Sequence, residues 1–122
     1  MSTEPFEYAL IRVVPNVERG EAINAGVILY SHGHEYLCAR VHLDERRLRA
    51  LDPTVDVPAV RIALDVFRRA CDEGHLAGQP LGARFRWLTA PRSTIVQPGP
   101  VHGGLTADPE AELEHLFNTL VR

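Results

Sequence analysis

Lysine is missing: all thirteen basic side chains are arginine. Arginine and lysine are not interchangeable at a bidentate site. A total absence, however, acts on every position, and it reads as the coding bias of a GC-rich genome. Positive excess is also missing. Sixteen Asp and Glu leave a formal net charge of −3, which argues against a general nucleic-acid binder. Cysteine is scarce. Cys38 and Cys71 stand far apart, form no Cys-x-x-Cys pair, and read as free thiols of a reducing compartment. No apolar run approaches the roughly 18 residues that cross a bilayer. The opening Met-Ser-Thr-Glu-Pro lacks the basic and then apolar pattern of a secretory signal. The expectation is a cytoplasmic protein without a membrane segment.

The chain has 122 residues with an apolar share of 45% and a charged share of 24%. A chain of this size buries about two-thirds of its unfolded surface, enough for a core without disulfides or metal. We expect one domain over residues 1–122, with no internal repeat and no low-complexity tract.

The organising stretch runs from Glu7 to Tyr30. Phe6–Val14 is dense in strand formers, with Ala9, Ile11 and Val13 on one face and Tyr8, Leu10 and Arg12 on the other. Pro15-Asn16 ends it. Residues 22–30 form a second strand, with Ile23, Ala25, Val27 and Leu29 expected on one face and Asn24, Gly26, Ile28 and Tyr30 on the other. Gly26 inside it signals a bulge or a close backbone approach. After Ser31-His32-Gly33-His34, residues 35–43 give a third alternating strand. That pattern suits an antiparallel sheet with one wet face.

Asp44 and Asp56 then cap two helices, the second carrying Pro58 in its first turn. Val60, Ala63, Leu64, Phe67, Ala70 and Cys71 follow helical spacing, and Gly74 is the expected stop. His75–Gly82 is a connector. Ala83–Leu88 alternates, which would place Phe85 and Trp87 together on a strand as core residues, and Ser93–Val96 is a further candidate strand. Pro98–Gly104 is rich in Pro and Gly and is expected to be irregular. Asp108-Pro109-Glu110 opens a last helix. The fold expected is therefore α+β: an antiparallel sheet beginning with a three-stranded meander, with two to three helices packed on one face.

Two stretches resemble a known family. Tyr8-Ala-Leu-Ile-Arg-Val-Val-Pro-Asn followed by Arg19-Gly-Glu-Ala-Ile-Asn-Ala-Gly-Val-Ile-Leu is similar to the start of the bacterial domain-of-unknown-function family three thousand and thirty-seven. Ala90-Pro-Arg-Ser-Thr-Ile-Val-Gln-Pro, Gly104-Leu-Thr and the closing Leu-Phe-Asn-Thr-Leu-Val look like its C-terminal signature. The resemblance implies no reaction and no catalytic residue. Members are often encoded beside a HipA-like kinase, which implies a small partner or regulator.

The candidate site residues are Arg12, Glu21, Asn24, Arg92, Ser93, His102 and Gly104. Arg12 opposite Asn24, near Glu21, would make a polar pocket for a carboxylate or phosphate. The same residues also fit an Arg–Glu pair at the hairpin end and an Asn that satisfies the bulge. Arg92-Ser93-Thr94, followed by Gln97 and His102-Gly103-Gly104, could cradle an anion on backbone N–H groups. It equally fits a long turn. It is not a P-loop, since no Lys follows and the Gly spacing differs. Glu21 and His102 are the residues to test for acid–base work. His32-x-His34 matches no strong zinc pattern, so no metal and no cofactor are expected. The leading expectation is a non-enzymatic interaction or regulatory protein, with self-association allowed. The alternative is a small-ligand or anion-binding domain built on the Arg12–Asn24 pocket and the 92–104 loop. Neither nucleic acid nor membrane is an expected partner.

Overall fold

A computed structural model of the chain describes residues 2–72 and 78–122. The expected helix stop at Gly74 and the start of the connector at His75 lie outside them. Three strands open the fold: β1 (Glu4–Val13), β2 (Ile23–Ser31) and β3 (Tyr36–Val41). They pair antiparallel as a meander. Three helices follow: α1 (Glu45–Leu51), α2 (Val57–Ala70) and α3 (Leu81–Leu88). Strands β4 (Val96–Pro98) and β5 (His102–Thr106) and helix α4 (Pro109–Leu120) complete the chain. The sheet order is β3-β2-β1-β4, with β5 also on β1. β1 and β2 are therefore the inner strands, and β4 and β5 share the side of β1 away from β2. The α+β architecture is the one expected.

The helix starts follow the aspartates. The Asp44, Asp56 and Asp108 carboxylates accept from the N–H groups of Arg47, Ala59 and Ala111, each at 3.1 Å. Each supplies a partner to a donor that the first turn would otherwise leave bare. Helices α1, α2 and α3 contribute Leu48, Leu64, Phe67 and Phe85 to a core with Ala9, Ile11, Val13, Ile28 and Ala39. The second face is not left wet. α4 packs there on β2 and β3, burying Leu113, Phe117 and Val121 against Phe6, Val27 and Leu29.

Three expectations are corrected. First, β2 does not alternate evenly. Ile11 pairs with Gly26 but Arg12 pairs with Asn24, so Ala25 is an extra residue. Ile23 and Ala25 share the first core with Ile28, while Val27 and Leu29 turn to the α4 side. One inserted residue moves every later side chain to the other face. Second, residues 83–88 belong to helix α3. Leu81, Phe85 and Leu88 are spaced four and three apart, and Phe85 and Leu88 are fully buried. Trp87 projects outward, 45% exposed. The Phe–Trp alternation read as period two is incidental to that helical stripe. Third, the Pro/Gly-rich tail forms strand β5. An edge strand needs pairing on one side only, and Gly104 fits under the Phe6 ring, where a Cβ would come within 2.8 Å of Phe6 Cε1.

Candidate functional site

β1 carries a polar row on its α4 side. Arg12 pairs with Asn24 on β2 and with Gln97 on β4. Directly paired residues point to the same face, so the three side chains stand abreast across three strands. The Asn24 amide N–H donates to the Leu120 carbonyl at 3.0 Å, tying this row to the last turn of α4. That carbonyl is one of the four a helix C-terminus leaves unpaired. The Arg12 guanidinium lies flat on Gly99: a Cβ there would stand 3.1 Å from Arg12 Cζ. Arg12 is half-buried, and its guanidinium has no hydrogen bond or ion pair among the described residues. Four residues before Arg12 on the same face of β1, Tyr8 pairs with His102 and their rings lie 5.3 Å apart.

The other expected residues are dispersed. Glu21 is exposed and bonds Arg19 at 2.6 Å, before β2 begins. His102 stands opposite Tyr8 in the middle of β1, whereas Glu21 precedes Ile23, the partner of Val13 at the end of β1, so Glu21 and His102 are apart. Ser93 is exposed. Gly104 serves the Phe6 contact. Arg92 lies on the opposite side of the sheet from Arg12. It donates to the Trp87 carbonyl at 2.6 Å and to the Ala90 carbonyl at 3.3 Å, which closes the end of α3. Its guanidinium stacks on Trp87 at 5.1 Å and on Phe67 at 5.5 Å. The structure thus brings Arg12 and Asn24 together and sets Gln97 beside them rather than with Arg92, which it separates from all three.

Arg92 instead stands at the rim of an apolar cleft between α2 and residues 92–96. The cleft has a volume of about 380 Å³ and is lined by Val55, Ala59, Ala63, Val66, Phe67 and Ile95, with Asp56 and Thr94 beside them. Val66 and Ile95 are 47% and 46% exposed. This cleft has no sequence motif. The available signal was Val66, which falls outside the buried stripe of α2 and stays apolar.

The titratable groups with a clear shift lie elsewhere. Burial pushes the Cys71 thiol up to about 12, with nearby Cys38 and Asp72 adding to it and Arg84 opposing. Burial likewise raises Tyr36, helped by Cys38. Both groups are held protonated. His34 Nε2 lies 2.9 Å from the Thr106 carbonyl, so that nitrogen carries its proton and serves as a donor. Among the described residues no three His, Cys, Asp or Glu side chains gather as a metal site. No helix among them is long and apolar enough to cross a membrane.

Neither the curated proteins nor the solved structures offer a match to the chain. A family model does match, over residues 8–121, from the middle of β1 to the residue that caps α4. The chain belongs to that family, described as protein of unknown function (DUF3037).

Proposed function

We propose that the chain is a non-enzymatic interaction subunit of the bacterial cytoplasm, which receives an apolar segment of a partner protein in the α2 cleft. The observation that carries this reading is the composition and rigidity of the cleft mouth. Val66, Ile95 and Trp87 expose apolar surface around one arginine, and two backbone carbonyls and two aromatic rings fix that arginine in place. Buried aromatic and arginine anchors dominate binding energy at protein interfaces. A guanidinium already immobilised loses little further freedom when a partner docks.

The finer reading is that the partner is a HipA-like kinase, which the gene neighbourhood of family members suggests. Co-expression with the HipA-like kinase of the same host, followed by size-exclusion chromatography, tests it. The wild-type chain is expected to co-elute with the kinase. Val66→Glu, on an exposed position of α2, is expected to elute alone with unchanged circular dichroism. Separate elution of the wild-type chain overturns the kinase reading. Co-elution that survives Val66→Glu overturns the cleft.

A second reading rests on Arg12, a half-buried guanidinium without a hydrogen-bonding partner among the described residues, flanked by two carboxamides. It would suit a small carboxylate or phosphate. Titration with inorganic phosphate and with acetate, followed through the Arg12 Nε–H resonance, tests it. An unmoved resonance at saturating anion removes this reading.

A further inference from the structure

The outer edge of the sheet has a defined opening. Val14 N–H donates to the Ile95 carbonyl at 2.6 Å and Gly99 N–H to the Leu10 carbonyl at 2.8 Å. The even-numbered residues of β1 thus turn their main-chain polar groups toward β4 and β5. Glu4, Phe6 and Tyr8 pair with Thr106, Gly104 and His102, so these three residues of β5 spend their groups on β1. Alternation then turns the N–H and C=O of Gly103 and Leu105 outward. Both residues are exposed, Leu105 by 67%.

Natural sheet edges are blunted by proline, charge or a covering element. Here Pro98 and Pro100 close the edge on one side, and Asp108 with Pro109 turns the chain into α4 on the other. Between them Val101–Ala107 carries no proline and no Asp, Glu, Lys or Arg. Its midpoint is Gly104.

We infer that β5 pairs with β5 of a second copy of this chain, antiparallel across a two-fold axis at Gly104. The window is self-complementary in that register. Gly103 of each copy faces Leu105 of the other, so each bulky side chain meets a residue that has none. Val101, 39% exposed, faces Ala107, and His102 faces Thr106. Gly103 and Leu105 exchange main-chain bonds twice, four in all, which satisfies every outward group of the two residues. The absence of charge in the window matters in a chain of net charge −3, because two copies meet there without like charges opposed. The contact is isologous and closes at two. It lies apart from the α2 cleft, so a dimer would display two clefts.

Sedimentation of the full chain, with an oxidative cross-linking experiment beside it, tests the inference. Wild-type protein is expected to sediment at twice its 13.6 kDa chain mass. Leu105→Glu is expected to halve that mass with an unchanged circular dichroism spectrum at about 25 °C and a melting temperature that no longer depends on protein concentration. Cross-linking keeps the test independent of that variant's folding. Differently tagged Gly103→Cys and Leu105→Cys chains, mixed and oxidised, are expected to yield the mixed disulfide dimer. A Cβ at Gly103 meets nothing nearer than the Phe6 carbonyl at 3.5 Å, so that position accepts a side chain. Wild-type protein that sediments at the mass of one chain overturns the inference, and so does a dimer that gives no mixed cross-link.

Discussion

Replacing Gly26 by alanine should weaken the whole fold from one methyl group. A Cβ at this position would stand 2.8 Å from the Arg40 carbonyl oxygen, 2.9 Å from Val41 Cγ1 and 3.1 Å from Ile11 Cδ1. The first of these is backbone of β3, which no rotamer change can move aside. The third belongs to a fully buried side chain. Relief requires β2 to part from β3 where Gly26 pairs with Val41. Overpacking of a tight core costs about 1–3 kcal/mol, and the backbone clash puts this case at the upper end. A domain holds only about 5–15 kcal/mol in total. With a urea slope of about 1–3 kcal/mol per molar, the unfolding midpoint should fall by about 1 M or more. Gly103→Ala, made in the Leu105→Glu background where no second copy is expected on β5, is the matched control, because its Cβ would meet only an ordinary contact at 3.5 Å. Its effect should stay within about 0.5 kcal/mol. Equal midpoints for Gly26→Ala and wild type, or equal damage at both glycines, would refute the reasoning.

Three further outcomes are expected. Phe85→Ala should cost about 3–5 kcal/mol, as for a fully buried ring, and Trp87→Ala much less; similar losses in thermal unfolding would contradict the helical stripe of α3. Asn24→Ala removes the bond to the Leu120 carbonyl and should cost about 1 kcal/mol, with amide exchange speeding up in the last turn of α4; unchanged exchange there would separate the two elements. Cys71 titrates near 9 in an open chain and about 12 when folded. Above pH 9 the unfolded state therefore sheds a proton that the folded state keeps, and stability falls as pH rises toward 12. Urea midpoints at about pH 8 and about pH 10 should show a smaller fall in Cys71→Ala than in wild type; an identical fall would exclude the thiol as the source.

Local signals carried most of the fold. The three aspartate caps, Pro58 and Pro109 in first helical turns, and the alternation of β1 and β3 are short-range features, and each element they mark is present. The failures came where a distant residue decides. Gly26 announced a bulge, but the direction of the shift depends on its pairing with Ile11 and on Asn24 standing opposite Arg12. Residues 81–88 satisfy two periods over a short span, and only burial of Phe85 and Leu88 decides between them. Gly103-Gly104 has poor strand propensity and becomes a strand because β1 offers a free side and Phe6 needs room. The polar row was half legible. Arg12 and Asn24 stood out as polar residues in apolar strands, whereas Gln97 lies in a turn-like stretch and is recruited by register alone. The α2 cleft left no motif, since its lining is ordinary helix surface that happens to stay apolar.

The position of β1 bears on how the protein is made. It leaves the ribosome before every strand it pairs with, so Glu4 waits for Thr106 and Val13 for Val96 before its second side is paired. Val27 and Leu29 wait longer still, until Leu113 and Phe117 arrive to cover them. The growing chain thus carries a meander with one open flank and one uncovered face until residues 96–121 have been made. A product cut short before Val96 would keep a bare central strand and a bare apolar face, the combination that marks a nascent chain for chaperones or for degradation.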